Sequence, residues 1–138
     1  MFRDAFRLRR CLIVADGFYE WRKDERRKTP HFIHLRSGRP FGFAAIWSPS
    51  RGAVGIALPA CAILTCAPNA LMAQIHNRMP VILPAAARDR WLDPSAEEAD
   101  LRALLAPLPP EEMEAYEVST FVNSPRNDSP ECVRRVDG

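Results

Sequence analysis

Apolar residues in this chain fall into short runs separated by turn residues, a pattern typical of strands rather than long helices. Strands are predicted at 11–15, 18–22, 31–35, 41–47, 60–67 and 116–122. Three of them are continuously apolar and are therefore expected to be buried: 11–15, 41–47 and 60–67. The charged segment from Arg22 to Pro30 is predicted to be the long connection of an antiparallel hairpin that ends at residue 35.

Helical patterns are short and lie between or after the strands. Helices are predicted at 70–75, 84–92 and 95–105. Asn69 is suited to cap the first, Pro84 to begin the second, and Ser95 with Glu98 forms a capping-box pattern for the third. This order predicts an α+β fold with a mostly antiparallel, barrel-like β core and short peripheral helices, in a single domain over residues 1–138.

The composition is that of a folded protein without a membrane span. Hydrophobic residues make up 47% and charged residues 26%, and no apolar run approaches the roughly 18–20 residues that cross a bilayer. No secretory signal is visible, so the cytoplasm is the expected location and no membrane partner is expected. None of the four cysteines forms a C-x-x-C pair, so no metal site is predicted. Cys11 and Cys61 lie in apolar runs and are expected to be buried thiols.

The net charge of +2 conceals an uneven distribution. Residues 1–87 carry 13 Lys and Arg against 5 Asp and Glu, whereas residues 88–117 carry 3 against 9. Basic clusters of this kind can neutralise nucleic-acid phosphates, or they can simply form a solvated surface and a charged hairpin tip. If they bind DNA, the interaction is expected to be weak, independent of sequence and sensitive to salt.

Two residues separated by 56 positions are candidates for acid–base chemistry. Glu20 stands between Tyr19 and Trp21 on a predicted strand, so its side chain points away from both. His76 follows a predicted short helix, and Arg78 offers a guanidinium fork suited to a phosphate. Each could equally be a surface residue. Burial and neighbouring charge can bring carboxyl and imidazole pKa values toward neutrality, as proton transfer requires, so a shared cleft is expected.

Read together, several blocks of sequence resemble the SRAP family, the SOS-response-associated peptidases or abasic-site-processing proteins. These blocks are Arg-Arg-Cys-Leu-Ile at 9–13, Ala-Asp-Gly-Phe-Tyr-Glu-Trp at 15–21, His-Asn-Arg-Met-Pro at 76–80, and Val-Asn-Ser-Pro-Arg-Asn-Asp at 122–128. Their order and spacing match the family over essentially the whole chain. The blocks around Glu20 and His76 are the most specific.

The resemblance implies a protein that recognises abasic sites in single-stranded DNA and links to them covalently. In the family, the amine and thiolate of an N-terminal cysteine form a thiazolidine with the ring-opened sugar. Glu20 matches the glutamate that shuttles protons during ring opening, and His76 matches the histidine that assists Schiff-base chemistry. Arg78 matches an arginine near the DNA backbone. The resemblance implies no cofactor.

One departure from the family concerns the nucleophile. Family members carry the cysteine directly after the initiator methionine, whereas this sequence has Phe2. Cys11 is no substitute, because it lacks a free α-amine. The sequence is therefore expected to be an N-terminally truncated member that forms no stable adduct by itself and whose uncovered strand edges favour homo-oligomers. A non-catalytic single-stranded DNA-binding module and a thiol peptidase using His76 are the alternative functions.

Overall fold

The structure, a computed structural model, describes residues 2–51 and 57–136. Its helices are α1 (Phe2–Leu8), α2 (Ala85–Leu92) and α3 (Glu98–Ala103), and short 3₁₀ helices lie at Met72–Gln74, Pro110–Glu112, Thr120–Asn123 and Pro130–Val133. The strands are β1 (Arg10–Ala15), β2 (Phe18–Lys23), β3 (Lys28–Leu35), β4 (Phe41–Arg51), β5 (Ala57–Ile63), β6 (Thr65–Cys66), β7 (Met79–Pro80), β8 (Ile82–Leu83) and β9 (Met113–Glu117). The predicted α+β class with antiparallel pairing is confirmed.

The chain divides into two compact units. The first consists of Met1–Ala15, Phe41–Ala67 and Pro80–Leu108. The second consists of Asp16–Pro40, Pro68–Met79 and Pro109–Gly138. No helix in the described ranges is long and apolar enough to cross a membrane.

An antiparallel sheet centred on β4 forms the first unit. β1 pairs along one edge of β4, while β5 and β8 pair in succession along the other edge. Trp91 of α2 is fully buried, and its indole N–H donates a hydrogen bond of 2.9 Å to the carbonyl of Cys11 in β1. Since truncating such a side chain to Ala costs about 3–5 kcal/mol, Trp91 is a principal anchor of this unit.

A three-stranded antiparallel sheet in the order β2, β3, β9 forms the framework of the second unit. Because side chains alternate between the faces of a strand, the sheet has two different surfaces. One surface carries Ile33 and Met113, which are 0% and 1% exposed. The other, called the aromatic surface below, carries Tyr19, Phe32 and Tyr116, whose rings contact one another. Gly17 precedes β2, and a Cβ there would collide with the ring of Phe32, so a larger residue would displace that ring from its packing against Tyr19 and Tyr116.

Several sequence-based expectations about the sheets need correction. Within the described residues the sheets are open, so the barrel-like description is a loose one. The hairpin connection is shorter than expected, because β2 and β3 continue pairing as far as Lys23 and Lys28. The predicted strand at 116–122 ends at Glu117, and a 3₁₀ helix begins at Thr120.

The strand predicted at 60–67 is buried only in part, at Leu64 and Cys66. It is divided between β5 and β6, and Cys61 and the other described side chains of β5 are exposed. A run of apolar residues indicates a strand but does not determine what covers it, and β5 lies on the edge of its sheet. The expectation of a buried Cys61 thiol is therefore wrong, and Cys11 is only half-buried.

The predicted helices exist but are shorter. The 70–75 segment contains the 3₁₀ helix Met72–Gln74, and the 84–92 helix begins at Ala85. The helix predicted over 95–105 covers only Glu98–Ala103. Ser95 does not cap it, because its backbone N–H and its hydroxyl both donate to the Asp93 carboxylate at 2.9 and 2.7 Å. Ser95 therefore closes a turn with Asp93 instead of capping α3.

Candidate active site

Glu20 occupies the middle of β2, on the surface of the sheet opposite the aromatic one. Directly across from it on β3 lies His31, which in turn is opposite Glu117 of β9. The Glu20 side chain is 24% exposed, so it is partly shielded but still reached by solvent. The predicted orientation, away from Tyr19 and Trp21, follows from the alternation of β2.

The loop that carries His76 is fixed at both ends by buried side chains. Met72 is 0% exposed and Met79 is 1% exposed. Asn69, which is 8% exposed, accepts a hydrogen bond of 2.9 Å from the backbone N–H of Met72 through its side-chain oxygen. The backbone N–H of His76 then donates to the Met72 carbonyl at 2.8 Å. Asn69 therefore closes the turn that leads into the 3₁₀ helix, although Leu71 and not Asn69 is the N-cap residue of that helix. The turn and the helix together lead to His76.

Glu20 and His76 approach each other, as the sequence predicted. The Nε2 atom of His76 lies 3.8 Å from Oε1 of Glu20, and the imidazole is 42% exposed. On the other side of the ring, the backbone N–H of Arg78 donates to Nδ1 at 3.2 Å, while the Arg78 carbonyl lies 3.3 Å from the same atom. When Nδ1 accepts from Arg78, the neutral ring carries its proton on Nε2, facing Glu20.

The main-chain groups of Arg78 therefore suit both protonation states of His76. Its N–H can donate to the neutral ring, and its carbonyl can accept from Nδ1 of the imidazolium. The exposed Arg78 side chain is not among the groups that line the cavity beside the pair. The sequence assigned Arg78 to DNA through its guanidinium, whereas the structure also gives its backbone a positioning role.

An open cavity of about 470 Å³ lies beside the pair. It is lined by Glu20, Trp21, Lys23, Lys28, His76 and Asn123. The Trp21 indole N–H donates 2.8 Å to the side-chain oxygen of Asn123, which fixes the plane of the ring at the cavity wall. The sequence did not indicate that Lys23, Lys28 and Asn123 would line the cavity. The lysines were read as a hairpin connection, although strand alternation with Trp21 would have placed Lys23 on its side.

A second histidine–carboxylate pair lies on the aromatic surface of the same sheet. Nε2 of His34 is 3.6 Å from Oε2 of Glu114, and Arg135 binds the other carboxylate oxygen at 2.9 Å. The His34 ring stacks on Phe32 and meets Tyr116 edge-on. The guanidinium of Arg135 lies 4.4 Å above the Tyr116 ring. Within residues 2–51 and 57–136, no three His, Cys, Asp or Glu side chains converge as a metal site would require.

Residues 1–125 match the sequence profile of the SOS response associated peptidase (SRAP) family. The chain belongs to the SRAP family. This SRAP chain is 44% identical over 134 residues to the abasic site processing protein YoqW of Bacillus subtilis strain 168, covering 96% of this chain and 60% of YoqW. It is 36% identical over 147 residues to the abasic site processing protein HMCES of Gallus gallus, covering 91% of this chain and 43% of HMCES. The predicted family membership is confirmed.

The fold agrees with solved structures of similar sequence. An X-ray structure of a protein from Bacteroides thetaiotaomicron superposes with a TM-score of 0.89 at 31% identity, covering 98% of this SRAP chain and 60% of that chain. Another, from Bordetella bronchiseptica, gives a TM-score of 0.77 at 31% identity. The SRAP chain therefore spans about 60% of the length of YoqW and of the Bacteroides protein.

Proposed function

We propose that this chain supplies the acid–base residues of a protein that processes abasic sites in single-stranded DNA. The observation that carries the proposal is the Glu20–His76 pair, 3.8 Å apart on the wall of an open cavity. Similarity to proteins named for abasic site processing supports the substrate class. The role proposed for the pair is proton transfer, because a carboxylate and an imidazole at this separation can donate and accept protons.

The chemistry begins with the closed sugar, whose C1 hydroxyl and ring oxygen form a hemiacetal. Glu20 accepts the proton of the C1 hydroxyl while His76 donates a proton to the ring oxygen. The bond between C1 and the ring oxygen breaks, and C1 becomes an aldehyde. An amine can then add to this aldehyde and expel water as an imine, and a neighbouring thiol can close the thiazolidine. General acid–base assistance of this kind is typically worth about 10²–10⁴-fold in rate.

Single-stranded DNA suits the cavity better than double-stranded DNA does. A site without a base offers only its sugar, its phosphates and the gap between flanking bases for recognition. The fixed indole of Trp21 presents a flat surface of the kind on which exposed bases stack. Lys23 and Lys28 add positive charge to the same wall. A thiol peptidase would need a cysteine beside His76, and none lines the cavity in the described residues.

Free cysteine tests the proposal without depending on the chain's own nucleophile, because it carries both the amine and the thiol of a thiazolidine. The reaction of free cysteine with an abasic oligonucleotide is followed by denaturing electrophoresis or mass spectrometry, with and without the protein. The protein should accelerate adduct formation on abasic single strands by at least about tenfold. The protein should accelerate adduct formation less on abasic double-stranded DNA, and an oligonucleotide without an abasic site should form no adduct. Equal rates with and without the protein would contradict the proposal.

A further inference from the structure

Lys23 and Lys28, named here the lysine pair, lie directly opposite each other at the end of the β2–β3 hairpin. Side chains directly opposite on antiparallel strands have Cβ atoms about 4.5–5.5 Å apart, and like charges at this spacing destabilise a sheet. Both lysines line the cavity that contains Glu20 and His76. In the part of the chain that the structure describes, neither ammonium takes part in an ion pair. An anion between them would relieve the repulsion.

We infer that the lysine pair binds the DNA phosphate adjacent to the abasic sugar, an inference that rests on the function proposed above. Glu20 and Lys23 are three residues apart on β2, which is roughly 10 Å along the strand. Their side chains leave opposite faces of this edge strand, and both line the cavity beside it. That distance accommodates a sugar at the acid–base pair with its neighbouring phosphate directed toward the hairpin end. By holding this phosphate, the lysine pair determines which part of the DNA strand faces Glu20 and His76.

Charge within the cavity supports this arrangement. The Glu20 carboxylate repels a phosphate placed beside it, whereas the ammonium groups of Lys23 and Lys28, which line the same cavity, attract a phosphate. A DNA strand therefore fits the charges of the cavity only when its uncharged sugar lies at Glu20 and its phosphate lies at the lysine pair. Compact ammonium charges on flexible stems are suited to this contact, because a phosphate oxygen can accept from both lysines.

Binding to an unreactive oligonucleotide tests the inference separately from the chemistry. The probe is a single strand with a tetrahydrofuran abasic analogue, in which one phosphate at a time is replaced by an uncharged methylphosphonate. Affinity is measured by fluorescence anisotropy for the wild type, for K23Q/K28Q, and for R26Q/R27Q. The last is a matched control, since Arg26 and Arg27 are exposed on the same hairpin but do not line the cavity.

For the wild type and for R26Q/R27Q, the methylphosphonate adjacent to the analogue should weaken binding by about two- to fivefold per lost contact. K23Q/K28Q should be insensitive to that linkage. Its dependence on log salt should also be shallower by about 0.7 per lost phosphate contact. Equal sensitivity of K23Q/K28Q and the wild type at every linkage would overturn the inference. Lysine-dependent sensitivity without any rate enhancement in the free-cysteine reaction would leave the phosphate contact standing and refute the proposed chemistry.

Discussion

The two histidine–carboxylate pairs on opposite surfaces of one sheet have similar separations but different surroundings. His76 and Glu20 are 3.8 Å apart beside an open cavity, and His34 and Glu114 are 3.6 Å apart among aromatic rings. Glu114 is also bound by Arg135 at 2.9 Å, and Nδ1 of His34 lies 2.7 Å from the Leu35 carbonyl. The second pair is therefore saturated with protein contacts.

This difference shows that proximity alone does not make an acid–base pair available for catalysis. A proton can be exchanged with a substrate only if the groups have room for one and are not neutralised by a stronger partner. The Glu20 carboxylate faces His76 and the cavity, whereas the Glu114 carboxylate already accepts from a guanidinium. A search of the sequence for His and Glu would not separate the two cases.

The largest predicted effect is on the rate of the free-cysteine reaction with abasic single strands. Glu20→Gln and His76→Asn should each remove most of the acceleration that the protein provides, a loss of about tenfold or more, because each removes a proton donor or acceptor. Glu114→Gln and His34→Asn remove the same groups from the second pair and should leave the rate unchanged. Circular dichroism and denaturant unfolding establish that the variants are folded. Equal loss of rate in Glu20→Gln and Glu114→Gln would show that the surroundings of the two pairs do not decide which of them takes part in the reaction.

Much of this arrangement followed from local sequence pattern. The alternation through Tyr19, Glu20 and Trp21 gave the orientation of the carboxylate on the predicted strand. Asn69 gave the turn that precedes His76. These features depend on neighbouring residues, and a sequence displays neighbouring residues directly.

Features that depend on distant partners were predicted less well. The exposure of β5 depends on what covers an edge strand, and the run of small apolar residues at 60–67 does not encode that. Ser95 could have capped the following helix or bonded to the nearby Asp93, and in the structure it donates to Asp93. The basic cluster that contains Lys23 and Lys28 was consistent with either phosphate binding or a solvated hairpin tip. Their contribution to a cavity could not be predicted, because it depends on the approach of the His76 loop.

The next effect tests how each histidine is held. His76 depends on the turn that Asn69 closes, whereas His34 depends on packed rings. Asn69→Ala should lower the free energy of unfolding by about 1–2 kcal/mol and also slow the free-cysteine reaction. Asp93→Ala is a suitable control, since it removes a similar side-chain contact to a backbone N–H in the other unit. Loss of stability in Asn69→Ala without any loss of rate would mean that this turn does not position His76.

The smallest effect concerns the saturated pair and appears at alkaline pH. Burial raises the pKa of Tyr116, the nearby Arg135 opposes that rise, and Glu114 adds to it. Burial likewise raises the pKa of Tyr19. Because the neutral phenol is favoured in the folded state, this stabilisation is complete below the ordinary tyrosine pKa of about 10. It is lost as the pH rises through the higher folded-state value.

The chain contains 2 tyrosines, so Tyr19→Phe leaves Tyr116 as the phenol that ultraviolet absorbance reports. In that background Tyr116 should titrate above free tyrosine, and Arg135→Gln should raise its pKa further by removing the opposing positive charge. Glu20→Gln should leave the titration unchanged, because its pair lies on the other surface of the sheet. A lower Tyr116 pKa in the Arg135→Gln protein would show that the guanidinium is not committed to this cluster. The saturation that distinguishes the two pairs would then have to come from the aromatic rings alone.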